Sequence, residues 1–116
     1  MKKFLALLLS AVMIAAFAGC GALETIELPE SLRSVGERAF MGCASLKKLA
    51  LPEGLESIGR AAFMDCTGLE ELVIPESVTD MDKNVFRGCT NLTCTVAADS
   101  YAMRYCEENG IPYVVK

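Results

Sequence analysis

Histidine and tryptophan are both missing from this chain, and without histidine neither a His-based nucleophilic triad nor a His-ligated metal site can be built. Basic residues are outnumbered: 11 Lys and Arg stand against 15 Asp and Glu, for a net charge of −4. Removal of the first 19 residues takes Lys2 and Lys3 with it, and 9 basic against 15 acidic residues then leave −6. That balance argues against nucleic acid as a partner and against electrostatic attraction to anionic membrane surfaces. The long apolar run, Phe4 to Phe17, has only fourteen residues, short of the roughly 20 that a membrane-crossing helix needs. It also inflates the apolar share of 53%, which is therefore no sign of a membrane domain. Acidic residues are plentiful but fall in no predicted cleft, so the expectation is a non-catalytic chain with no cofactor.

What the chain does have is repetition. Leu46 to Gly68 (LKKLALPEGLESIGRAAFMDCTG) recurs in register as Leu23 to Ser45 and as Leu69 to Asn91, a period of 23 residues with no insertion between copies. A fixed period of 20 to 30 residues signals a solenoid, whose units bury their apolar faces against one another. In the central copy Leu46, Leu49 and Leu51 form L-x-x-L-x-L, which suits a short strand with leucines inward and Lys48 and Ala50 outward. Pro52, like Pro29 and Pro75, lacks an N–H and ends the strand. A second apolar pair follows at Leu55 and Ile58. Gly36, Gly59 and Asp82 then mark a column expected to hold a tight or left-handed turn. Arg60 to Met64 is helix-permissive for one or two turns. Phe40, Phe63 and Phe86 should stack as the bulkiest core column.

These residues, L-x-x-L-x-L-P, then L-x-x-I-G, then A-F-x-x-C-x-x-L, resemble the BspA-like, surface-antigen type of leucine-rich repeat. The resemblance covers Leu23 to about Tyr113 and implies an α/β repeat fold: a short right-handed solenoid of three coils (23–45, 46–68, 69–91) closed by a C-terminal capping unit, 92–116. It also implies an exported or surface protein engaged in adhesion and protein binding. One departure is that the general leucine-rich pattern expects Asn or Cys three residues after the last strand leucine, where this chain has Ser31, Gly54 and Ser77. In the cap, Asp99 or Ser100 is a suitable helix N-cap and Asn109-Gly110 a suitable stop, bracketing a helix near Tyr101 to Glu108. A short extended piece near Ile111 to Val114 should follow.

Residues 1–19 read as a signal peptide: Lys2 and Lys3 form the charged region, and Phe17-Ala18-Gly19-Cys20 resembles a bacterial lipobox. Cys20 would then be the lipidated N-terminus, and 20–22 a tether that sets the domain against the membrane through a lipid anchor. Ala16-Phe17-Ala18 also suits ordinary signal peptidase, which would give a soluble secreted protein. No distinct unit caps the first coil, so the strand near Thr25 to Leu28 should leave an open sheet edge, a route to self-association.

Four groups of residues are candidate sites. Thr25, Glu27, Lys48, Ala50, Glu71 and Val73 form the outward strand face, a docking surface for an unidentified protein, although it has no aromatic anchor. Cys43, Cys66 and Cys89 recur at the repeat period. Parallel thiols one coil apart neither converge on a metal nor match the Cβ separation of a disulfide, so they read as small buried hydrophobes. Cys94 and Cys106 lie outside that column, either as a disulfide in an exported cap or as buried thiols. Glu30, Glu53 and Glu76 make an acidic column with too few oxygens for calcium, read as a solvated stripe.

Overall fold

The computed structural model describes residues 4–6, 12–13 and 20–116, with side chains from residue 21 onward. In chain order the strands are β1 (Phe4–Ala6), β2 (Val12–Met13), β3 (Thr25–Glu27), β4 (Ser34–Val35), β5 (Lys48–Ala50), β6 (Ser57–Ile58), β7 (Glu71–Val73), β8 (Asp80–Met81), β9 (Thr93–Val96) and β10 (Tyr113–Val115). A single helix, α1, spans Tyr101–Asn109. Each leucine-patterned strand alternates as its sequence requires, with Ile26, Leu49 and Leu72 buried between outward neighbours. Parallel pairing stacks β5 and β7 with β9 and β10 into a sheet ordered β10-β9-β7-β5, while β3 pairs with β1.

The second apolar pair of each coil does more than fill the core. Ser34–Val35, Ser57–Ile58 and Asp80–Met81 pair as a second parallel ladder, β4-β6-β8, with β2 at its edge. Val35 and Ile58 are almost wholly buried and Met81 nearly so. The leucine, isoleucine and phenylalanine columns thus fill the space between two ladders, and Pro29, Pro52 and Pro75 mark the turn from one to the other.

One local expectation is corrected and one narrowed. Arg60 to Met64 forms no helix: Ala61 (φ 57°) and Asp65 (φ 61°) sit in the left-handed region, far from the helical φ near −63°. The N–H groups there alternate between the turn and the next coil. Ala62 and Met64 donate to Gly59 and Ala61, while Ala61, Phe63 and Asp65 donate to Lys83, Val85 and Arg87. Of the two forms expected for the Gly36, Gly59 and Asp82 column the tight turn is the one found, closed by Ala39 N–H to Gly36 and Ala62 N–H to Gly59, while the left-handed residues lie two positions later, at Arg38, Ala61 and Asn84. Gly59 also serves close approach, since a Cβ there would lie 2.8 Å from the Glu37 nitrogen and 2.9 Å from the Gly36 carbonyl carbon.

Phe40, Phe63 and Phe86 stack as a column, with ring centroids 5.1 and 5.9 Å apart and planes within 10° and 20° of parallel. Tyr105 of α1 closes the column edge-on against Phe86 at 6.3 Å. Helix α1 begins at Ser100, whose side chain accepts from the Met103 N–H, and stops at left-handed Gly110. Ala102 and Cys106 face inward. The terminal strand lies at Tyr113–Val115, one to two residues beyond its expected place.

At the other end the open edge expected near Thr25 to Leu28 is not open in the full chain. Phe4–Ala6 pairs in parallel with Thr25–Glu27, and Val12–Met13 with Ser34–Val35, so both ladders of the first coil have an outer neighbour. Among the described residues no helix is long and apolar enough to cross a membrane.

Candidate functional site

The register of the main sheet places its outward residues in two rows. One runs Lys48, Glu71, Thr93 and the other Ala50, Val73, Thr95, Val114. Of the six residues read from sequence as a docking face, the structure brings together Lys48, Ala50, Glu71 and Val73. Thr25 and Glu27 are exposed but belong to the separate two-stranded sheet β1-β3. Sequence reasoning missed Thr93, Thr95 and Val114, because they lie beyond the last regular copy. The usable signal was the Thr-Cys-Thr-Val alternation at 93–96.

Charge on this face cancels locally. Lys48 Nζ lies 3.7 Å from Glu71 Oε2 with both side chains more than half exposed, a pair worth about 0–1 kcal/mol once solvent screening is counted. Alongside it the second row is nearly uncharged and ends in Val114, 51% exposed. A weakly polar strip therefore runs the length of the sheet beside a compensated ion pair. Away from the face, Arg60 donates to Glu37 at 3.0 Å, and this bond raises the guanidinium pKa.

A recess of about 490 Å³ lies between the Met81 to Asn84 turn and α1, lined also by Tyr101, Tyr105 and Glu108. Its phenols are committed to the backbone. Tyr101 accepts from the Met81 N–H at 3.0 Å, and Tyr105 donates to the Asp82 carbonyl at 2.7 Å. Burial pushes the Tyr105 phenol above its ordinary pKa, away from ionisation near neutrality. These two hydrogen bonds therefore hold the helix on the last coil.

The cysteine column is not simply apolar packing. Cys66 Sγ donates to the Phe40 carbonyl at 3.1 Å and Cys89 Sγ to the Phe63 carbonyl at 3.0 Å. Cys43 is disulfide-bonded, whereas Cys66, Cys89, Cys94 and Cys106 are free thiols. Cys94 and Cys106 are both fully buried as free thiols, the second of the two states the sequence left open. Glu30, Glu53 and Glu76 are exposed. Among the described residues no group of three or more Cys, Asp or Glu is arranged to hold a metal. Cys20 opens a 3-10 turn, Cys20–Ala22; its side chain, and with it the lipidation reading, lies outside the described residues.

Parallel short strands, one helix and a 23-residue coil define a leucine-rich-repeat protein. The profile of a BspA type leucine rich repeat region of six copies matches residues 10–107, and the chain belongs to that family. Three crystal structures are similar. A leucine-rich repeat protein from Bacteroides ovatus superposes with a TM-score of 0.79 at 31% identity, over 92% of this chain and 28% of that one. The leucine rich repeat protein of T. pallidum gives 0.67 at 38% identity, over 69% of this chain and 38% of that one. A leucine rich cell surface protein from Faecalibacterium prausnitzii gives 0.59 at 25% identity, over 96% of this chain and 35% of that one. This chain thus spans well under half the length of each. No curated protein matches it.

The family match begins inside the stretch read as a leader. Ala16-Phe17-Ala18-Gly19-Cys20 stands one period, 23 residues, before Ala39-Phe40-Met41-Gly42-Cys43. The cysteine read as a lipidation site therefore also falls in the cysteine column of the repeat, which sequence reasoning overlooked by starting the repeat at Leu23.

Proposed function

We propose that this chain is a non-catalytic protein-binding module displayed at the cell envelope, and that it engages its partner through the outward face of β5, β7, β9 and β10. The supporting observation is the uninterrupted strip Ala50, Val73, Thr95 and Val114 beside the compensated Lys48–Glu71 pair. Continuous across four strands and nearly neutral, such a strip suits docking of another protein surface, whereas nothing on it activates a nucleophile. Lys48→Glu with Val73→Asp replaces the ion pair by two carboxylates and adds a third charge to the strip. Both side chains are partly or largely exposed, so the melting temperature should stay within a few degrees. Capture of a defined surface partner should fall at least tenfold. Equal capture by wild type and double variant would remove the face from consideration.

Export is the second element of this proposal, resting on Lys2, Lys3, the apolar run and Cys20. Mass spectrometry of the mature N-terminus checks it. A chain beginning at diacylated Cys20 gives an envelope lipoprotein, one beginning at Gly19 gives a secreted protein, and an intact Met1 overturns export and leaves β1 and β2 in place. Cleavage would also remove β1 and β2, re-exposing the edges of β3 and β4. That consequence favours a second reading, self-association of the mature chain through its first strand. Light scattering of the chain with and without residues 1–19 separates the two: concentration-dependent growth of the shortened chain alone points to the edge.

A further inference from the structure

The turn that follows each strand of the second ladder hydrogen-bonds to the turn of the next coil. In the first coil the Arg38, Phe40 and Gly42 N–H groups donate to the Arg60, Ala62 and Met64 carbonyls at 2.7–2.9 Å, and in the second Ala61, Phe63 and Asp65 donate to Lys83, Val85 and Arg87 at 2.7–3.1 Å. The same positions of the third coil are Asn84, Phe86 and Gly88. That coil is followed by β9 and α1, not by a fourth turn of this kind. The Asn84, Phe86 and Gly88 N–H groups accordingly have no acceptor among the described residues. A buried N–H left unpaired is costly, and Phe86 is only 6% exposed, so the row calls for acceptors from outside the solenoid.

Two recesses open beside this row and share Asn84, Tyr105 and Asn109 in their walls. The narrower, about 230 Å³, also has Phe86 and Ile111 in its wall, and Arg87 is its one charged lining residue. Arg87 is exposed and makes no ion pair among the described residues. The wider recess adds Lys83 but also Asp82 and Glu108, so unbalanced positive charge gathers at the Arg87 end. In the first two coils each donor of the row takes a different carbonyl, which is the register of chain against chain and not of several N–H groups closing on one anion.

We propose that the turn at residues 84–88 and α1 form a docking groove for an extended acidic peptide. Carbonyls on one edge of an extended chain recur at every second residue, so three of them meet the Asn84, Phe86 and Gly88 N–H groups and complete the ladder, while a carboxylate of the peptide pairs with Arg87. The groove follows β8 of the second ladder and is separate from the outward face of β5, β7, β9 and β10.

The test titrates the isotope-labelled full chain with a pentapeptide of alternating glutamate and valine, blocked at both ends, and follows the backbone amides by NMR. Saturable shifts are expected at the Asn84, Phe86 and Gly88 N–H groups, with slower hydrogen exchange at exposed Asn84 and no change at Thr95 or Val114 on the sheet face. Arg87→Glu, an exposed position, should weaken binding at least tenfold with the melting temperature unchanged. A peptide with glutamine in place of glutamate asks the same question without a substitution and should lose as much. Absence of saturable shifts at the three amides means that water alone satisfies them, and shifts that grow with protein concentration before peptide is added make a second copy the occupant. Either result, or equal affinity for Arg87→Glu or for the neutral peptide, overturns the proposal.

Discussion

Phe63→Ala is expected to destabilise the chain by about 3–5 kcal/mol, the range for a phenylalanine removed from a packed core. Phe63 is wholly buried and lies between two rings, 5.1 Å from Phe40 and 5.9 Å from Phe86. Its backbone cannot relax to fill the gap, because the Phe63 N–H is tied to the Val85 carbonyl and the Phe40 N–H to the Ala62 carbonyl. Loss of the ring therefore leaves a void within the column and breaks the contact between the first and third coils. Total stabilities of small domains are about 5–15 kcal/mol, so this one change removes a large part of it. The melting temperature should fall by on the order of 10 °C or more. Phe86→Ala, at a position 6% exposed and covered on one side only by the edge of Tyr105, should cost less. A shift of only a few degrees for Phe63→Ala, or a larger one for Phe86→Ala, would show that the column is not the mechanical centre of the solenoid.

Gly68→Ala should be the most damaging single-methyl change, at about 1–3 kcal/mol or somewhat more. A Cβ at Gly68 would overlap the carbonyl oxygen of Ala44 in the preceding coil and press on its carbonyl carbon at 3.3 Å. Both are backbone atoms, so relief requires the coils to separate and strains the cross-coil hydrogen bonds beside them, such as Glu70 N–H to Lys47 at 2.8 Å. Gly21→Ala is the matched control, since among the described residues its Cβ would meet nothing nearer than the Gly42 carbonyl oxygen at 3.9 Å, and it should stay within about 0.5 kcal/mol of wild type. Denaturant unfolding of both variants provides the check; equal midpoints for Gly68→Ala and wild type would remove the coil-contact argument.

The solenoid was legible because its determinants repeat. Leu46, Leu49 and Leu51 have counterparts in register before and after, and a period of 23 residues leaves neighbouring units only one way to bury those columns together. The helix cap was legible for a local reason, in that Ser100 and Gly110 act within a turn of their own positions. What stayed hidden was set by contacts between coils. Gly68 shares its repeat position with Ser45 and Asn91, so nothing in the pattern flags the backbone passing beneath it. Arg60 to Met64 is composed like a helix, yet the next coil's carbonyls capture its N–H groups and force Ala61 and Asp65 into left-handed turns.

The candidate sites divide along the same line. Lys48, Ala50, Glu71 and Val73 could be placed outward from strand alternation alone, since side-chain direction in a strand has a period of two. Their continuation through Thr95 to Val114 depended on β10 returning to pair with β9 after a helix, a closure that no local pattern encodes. For the cysteines, sequence supplied the 23-residue spacing and hence the stacking. Which carbonyl the Cys66 and Cys89 thiols bind, and that Cys94 and Cys106 are both buried beneath the cap, were decided by packing of the tertiary structure. By itself the sequence determined the coil, its period and its inward columns, because these follow from hydrophobic pattern and backbone geometry. The relative approach of successive coils, from which the face and the thiol–carbonyl bonds arise, was settled only when those columns closed on one another.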